Sequence, residues 1–142
     1  MRMTQVSAFL ENRPGRLLHV LEVLAQAGVN VLAHTIVDAA DFGIVHLIVA
    51  DPSLAMQALR QAGIVCTSTT VLVVDVPDAP GAFVQKVLRP LAEAGVNIQY
   101  SYAFGAPINA TAAAKEEPRP RLVLKVNDLE SVERALGILP AA

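Results

Sequence analysis

Asn12-Arg13-Pro14-Gly15-Arg16-Leu17 opens a stretch that closes on Leu24-Ala25-Gln26-Ala27-Gly28-Val29-Asn30-Val31, and the chain does this twice. The second time it reads Asp78-Ala79-Pro80-Gly81-Ala82-Phe83 and closes on Leu91-Ala92-Glu93-Ala94-Gly95-Val96-Asn97-Ile98. Gly15 and Gly81 lie 66 positions apart, Gly28 and Gly95 lie 67 apart, so the second copy holds one extra residue. Pro-Gly, then an amphipathic run, then Ala-Gly-Val-Asn, repeated in that order, marks a duplicated structural unit.

The punctuation inside each copy is the same. Gln5 to Leu10 alternates as a strand does, with Val6, Ala8 and Leu10 on one face. Pro14 fits a first helical turn, where its missing N–H costs nothing. Leu17, Leu21, Leu24 and Gly28 recur at spacings of four and three, an amphipathic helix that the glycine ends. Val29 to Val37 reads as the second strand, the Asp38–Asp41 stretch as a turn, and Phe42 to Ala50 as the third strand. Asp51-Pro52-Ser53 starts a second helix through about Ala62, stopped by Gly63, and Ile64 to Thr70 supplies a fourth strand.

In the second copy Val71 to Val76 is the first strand, nearly continuous with the one before it. Its helix, about Ala82 to Ala94, contains Pro90, which removes a hydrogen bond and crowds the carbonyl of Lys86. The extra residue is expected to be absorbed there as a π-bulge or kink. Ile98 to Phe104 and Arg121 to Val126 read as strands, Gly105 to Pro120 as a long loop, and Asp128 as the cap of a helix from Leu129 to Leu136. Gly137 to Ala142 leaves little room for a final strand. The expectation is α+β: two ferredoxin-like βαββαβ units in tandem, residues 1–70 and 71–142, the second with its last strand short or missing. Each is an antiparallel sheet with both helices on one face.

Composition narrows the function. Of 142 residues, 54% are hydrophobic and only 17% charged, which excludes intrinsic disorder. No apolar run approaches the ~18 residues of a membrane span. The apolar surplus calls for cover, and a homodimer is the expected cover. A net charge of −2 is no footprint of a nucleic-acid binder. Cys66 stands alone, so no intramolecular disulfide forms and a Cys-rich zinc site is excluded. His19, His34 and His46 share no ligand spacing, so neither metal nor cofactor is expected. Met1 to Glu11 lacks the pattern of a signal peptide, which makes the cytoplasm the expected location.

A strand, then Asn12-Arg13-Pro14-Gly15-Arg16-Leu17, then a helix ending Ala27-Gly28-Val29-Asn30-Val31, resembles the ACT domain. It is similar in particular to the serine-binding regulatory domain of bacterial phosphoglycerate dehydrogenases. The chain as a whole resembles stand-alone tandem ACT proteins that bind amino acids. The resemblance implies an amino-acid site where ACT units meet, made of Asn12, Arg13, Pro14, Gly15, Arg16, Leu17, Asn30 and Val31. From the second copy it implies Asp78, Gly81, Ala82, Asn97 and Ile98. Asn12 and Asn30 take the two asparagine positions that hold serine in the dehydrogenase domain. Leu10 stands where that pattern has a histidine, which favours a less polar ligand.

The residues themselves permit such chemistry. Gly15 and Gly81 let a ligand approach the backbone, and a helix N-terminus favours a carboxylate. An asparagine amide serves an ammonium with its oxygen and a carboxylate with its N–H groups. The same residues also serve as plain helix starts and turn formers. Three functions are open: a non-catalytic sensor of a free amino acid that acts on a separate target protein; an oligomerisation or docking module with no small ligand; and a small ferredoxin-like hydrolase. No Ser/His/Asp arrangement, carboxylate pair or phosphate loop supports the enzyme, and the sensor is the expectation.

Overall fold

The computed structural model describes residues 1–39, 41–105 and 120–139. The elements are β1 (Arg2–Glu11), α1 (Arg16–Gln26), β2 (Val31–Ala39), β3 (Phe42–Val49), α2 (Pro52–Gln61) and β4 (Cys66–Asp75). A π-helical turn (Val84–Leu88), α3 (Arg89–Glu93), β5 (Ile98–Phe104), β6 (Arg121–Val126) and α4 (Leu129–Ala135) complete them. Two compact units result: an N-terminal unit, Met3–Thr70, and a C-terminal unit, Val71–Ala142 together with Met1–Arg2. The loop expected over Gly105 to Pro120 lies, from 106 to 119, outside the described residues.

The N-terminal unit is βαββαβ with strand order β2-β3-β1-β4, the ferredoxin-like arrangement. β1 and β2 both pair antiparallel with β3, through Val6↔Leu47, Ala8↔Val45 and Ile36↔Val45 among others. Alternation along β1 and β3 sends Val6, Ala8, Leu10, Val45, Leu47 and Val49 to one face. There they meet Val20 and Leu24 of α1 and Ala55 and Leu59 of α2. Both helices therefore cover the same side of the sheet.

The C-terminal unit repeats this with order β4-β6-β5. Leu72, Leu124 and Val126 of the sheet pack on Val87, Leu91 of α3 and Val132 of α4. No fourth strand follows α4 among the described residues. The edge of β4 is instead met by the start of β1: Met1 and Val73 exchange backbone bonds of 2.9 and 2.8 Å, an antiparallel pair. Arg2 reinforces the contact by donating from Nε and Nη2 to Oε1 of the buried Glu133, at 2.9 and 2.6 Å.

Two local readings are settled by the geometry. The Pro-Gly pairs are not the first turns of helices. Gly15 has φ 85° and ψ −5°, and the Arg16 N–H reaches the Arg13 carbonyl at 3.4 Å. That is a type II turn, with proline at the position whose φ it presets and glycine where φ must be positive. Pro14 thus precedes α1, and Ala82 N–H to the Ala79 carbonyl at 3.1 Å repeats the turn around Gly81. The extra residue of the second copy sits where Pro90 was expected to disturb the helix. Arg89 N–H reaches back to the Val84 carbonyl, closing a π turn just before the proline that has no N–H to give.

On the sheet face away from the helices, the N-terminal unit buries a polar trio. His46 Nδ1 lies 2.8 Å from Ser7 Oγ and 3.1 Å from Gln5 Nε2. The Gln5 amide and the Ser7 hydroxyl both pair with Nδ1, whose role as donor or acceptor follows the ring tautomer. Burial lowers the His46 pKa below its ordinary 6.5. The unfolded chain then binds the proton more tightly than the folded one, so stability is present above pH ~6.5 and falls as pH drops below it. Thermal unfolding at pH 7.5 and 5.5 is expected to show a lower midpoint at the acid end. His46→Gln is expected to flatten that difference; an undiminished difference in the variant would assign it to other groups.

Candidate amino-acid site

The loop between β1 and α1 is where sequence and geometry converge. β1 ends at Glu11, the type II turn reverses the chain, and α1 begins with His19 N–H on the Gly15 carbonyl at 3.0 Å. Gly15 caps α1 without a side chain, and the first turn carries no acidic residue. The positive end of the helix dipole therefore faces this loop without a side-chain cap, its Arg16 N–H already bonded within the turn.

A cavity of about 260 Å3 opens here. Its polar wall is Asn12, Arg13 and Arg16, and its apolar wall is Leu10, Leu17 and Ile36. Asp38 also lines the cavity and accepts from Asn12 Nδ2 at 3.3 Å. The Glu11 carboxylate is shared by Arg13 at 2.6 Å and Arg16 at 3.4 Å. Two guanidiniums against one carboxylate leave cationic character at the helix start, while Asp38 presents an anion in the same cavity. A zwitterion matches that division: its carboxylate toward Arg16 and the helix N-terminus, its ammonium toward Asp38.

Asn12, Arg13, Arg16 and Leu17 thus line one cavity, with Pro14 and Gly15 shaping the turn beside it. Asn30 and Val31 lie elsewhere. Asn30 precedes β2, its carbonyl accepts from Ala50 at 3.0 Å, and the 11 residues of α1 separate it from the loop, roughly 16 Å at the usual helical rise. Asp38, at the other end of β2, is the residue that meets Asn12. The C-terminal unit repeats the separation. Asp78, Gly81 and Ala82 belong to the loop before the π turn, and Asn97 and Ile98 follow the same helix at the start of β5. A ligand that touches both asparagine positions must therefore take them from two ACT-like units.

Glu11 and Asp38 were not among the residues the sequence pointed to. The pairing Asp38↔Gly43 places Asp38 beside the loop, and that register depends on a hairpin turn that sequence patterning leaves free by a residue or more. Tyr100 and Tyr102 share one face of β5, and burial, with Tyr100 beside it, pushes the Tyr102 hydroxyl pKa upward. Among the described residues no three His, Cys, Asp or Glu side chains are placed to hold a metal ion. No helix among them is long and apolar enough to cross a membrane.

Comparison with known proteins bears on this arrangement. A family model described as an ACT domain pair matches residues 1–134. Among solved structures, protein BT0572 from Bacteroides thetaiotaomicron is similar at 35% identity, over 97% of this chain and 88% of that one, with a TM-score of 0.82. The ligand-free regulatory subunit of aspartate kinase from Thermus thermophilus matches at 18% identity, over 96% of this chain and 91% of that one, with a TM-score of 0.62. The corresponding subunit from Thermus flavus matches at 16% identity, over 96% and 92%, with a TM-score of 0.54. At such identities the two Thermus proteins share the fold. No curated protein matches the chain.

Proposed function

The chain belongs to the family of ACT domain pairs, and from that membership we propose that it is a non-catalytic sensing module for a free amino acid. The ligand sits at the β1–α1 loop of the N-terminal unit and its binding is passed to a separate target protein. One observation carries this: a single cavity sets Arg13, Arg16 and an uncapped helix N-terminus against Asp38. That is the charge pattern of an α-amino acid, held a few ångströms apart and read from opposite sides. The Leu10, Leu17 and Ile36 wall favours an aliphatic rather than a hydroxylated side chain.

A homodimer belongs to the same proposal. Asn12 and Asn30 of one unit stand at opposite ends of α1, so a second copy of the chain is the source of the Asn30 end. The second copy also covers apolar side chains that stay in solvent here, among them Phe42 and Val65. A cytoplasmic location follows from the role, since free amino acids are sensed where they are used. The fold serves as a regulatory subunit in the two Thermus proteins, which is a use consistent with this one.

A thermal-shift screen against the twenty amino acids tests the reading. A ligand that binds only the folded protein adds roughly 2.7 kcal/mol of stability at a hundred times its Kd. The expected result is a saturable rise with an aliphatic amino acid, lost in Asp38→Asn and Arg16→Met. A flat screen on folded protein would overturn it in favour of a docking module. Full-affinity binding by a monomer in light scattering would remove Asn30 from the site.

A further inference from the structure

The C-terminal unit holds a cavity that the loop site does not use. It measures about 400 Å3 and lies between the end of β4, the π turn and the residues that follow α4. The N-terminal unit has a cavity at the matching place, of about 240 Å3, beside Phe9, His19 and Ile64. The repeat puts Asp75 at the position of Phe9 and Ile138 at that of Ile64, while Lys86 and His19 both come from the helix start after the loop. The matching spaces therefore differ in size and in charge.

The size difference has a structural cause. In the N-terminal unit Phe9 N–H bonds to the Val65 carbonyl at 2.9 Å, so the segment leading into β4 closes the edge of β1. In the C-terminal unit the described residue paired at that edge is Met1, with Val73. Among the described residues none takes the place of a fourth strand there. The charge difference is equally specific. Arg121 is held by Asp75 at 3.3 Å and stacks over Phe104 at 5.9 Å, so its guanidinium is fixed at the rim. Lys86 lines the same cavity and makes no ion pair among the described residues. Below these cations the wall is apolar: Val73, Val87, Leu136 and Ile138. Val73 and Val87 are almost fully buried and form its floor.

An aliphatic floor beside two cations is a site for an amphipathic anion. We propose that this cavity binds a small carboxylate with a branched aliphatic body, its oxygens on Lys86 and Arg121 and its hydrocarbon on Val73, Val87, Leu136 and Ile138. Its volume falls within the roughly 300–1,000 Å3 typical of small-molecule sites. Asp75 and Arg121 neutralise each other, so Lys86 gives the cavity its net positive charge, and the guanidinium keeps N–H groups that Asp75 does not take for a carboxylate. This site is in a different unit from the β1–α1 loop and its occupancy does not depend on the reading given to that loop.

The test is a titration of the full chain with 4-methylpentanoate, followed by calorimetry, with 4-methylpentan-1-ol as the probe of equal shape and no charge. The expected result is saturable binding of the carboxylate and none of the alcohol. Lys86→Met is expected to weaken binding about tenfold, the usual size of a charge-assisted hydrogen bond. Ile138→Trp changes a side chain already 45% exposed, so folding is retained while the new ring fills the cavity and blocks the probe. Absence of saturable binding, equal binding of the alcohol, or unchanged affinity in both variants would each overturn the proposal. The two sites are told apart by their variants: a thermal shift lost in Asp38→Asn and Arg16→Met belongs to the loop cavity, and one lost in Lys86→Met belongs to this one.

Discussion

Gly15→Asp is expected to abolish amino-acid binding, while Gly15→Asn is expected to keep it. Both substitutions carry the same backbone cost. Gly15 has φ 85°, a conformation that costs an ordinary L-residue about 1–2 kcal/mol and that Asn and Asp tolerate best. Neither meets a steric obstacle, since no atom beyond the adjoining residues lies within 4 Å of where the Cβ would stand. The pair therefore differs by one charge, at the point where the ligand's carboxylate approaches the helix N-terminus. An aspartate there would also favour α1 through its dipole, so unfolding does not explain a loss. Calorimetric titration is expected to show at least a tenfold gap between the variants, about the weight of one charge-assisted hydrogen bond. Equal affinities would detach the loop from the site.

Leu24→Ala is expected to cost the N-terminal unit about 2–5 kcal/mol, and Leu91→Ala the C-terminal unit a similar amount. The two leucines are the same residue of the repeat, and both have 0% of their surface exposed. Each does two things in its unit. The side chain fills the space between helices and sheet, in company with Val20 and Leu59 in one unit and Val87 and Val132 in the other. Its carbonyl accepts the N–H that ends the helix, from Val29 and Val96 respectively, both at 2.9 Å. Ala keeps the carbonyl and removes the filling, so the measured loss is the cavity alone. Hydrogen exchange is the fitting measurement because it locates the loss. Protection is expected to fall in β1, α1 and β3 for Leu24→Ala, and in β4, β6 and α4 for Leu91→Ala. A loss below about 1 kcal/mol in either variant would mean that the site collapses around the smaller residue.

The duplication is plain in the sequence because its punctuation is local. A helix that ends Ala-Gly-Val does so by chemistry confined to a few residues: Gly28, at φ 74°, donates to the Ala25 carbonyl, and Val29 to that of Leu24. Pro90 likewise announces a disturbed helix, and the π turn stands immediately before it. The Pro14-Gly15 pair is ambiguous by its proline, which is welcome both at the start of a helix and in a type II turn. The glycine after it decides for the turn, which needs a positive φ at that position.

The site is harder to read for a physical reason. Asn12, Arg13 and Arg16 are neighbours along the chain and can be named together. Asp38 reaches them only through the β2–β3 register, and Asn30, close to them in sequence terms, is carried to the far end of α1. Sequence shows which groups a loop offers, but strand register decides which groups it meets. The same applies to Met1 and Arg2, which belong with Val73 and Glu133 across more than seventy residues of chain.

The most direct test of the sensing account is a map of backbone amide chemical shifts during titration with the amino acid that gives the largest thermal stabilisation. The account predicts that Gly15, Arg16 and Leu17, at the N-terminus of α1, move most and saturably, with Asp38 and Gly43 across the cavity moving with them. Shifts confined to other parts of the chain, or none for any of the twenty amino acids, would contradict it.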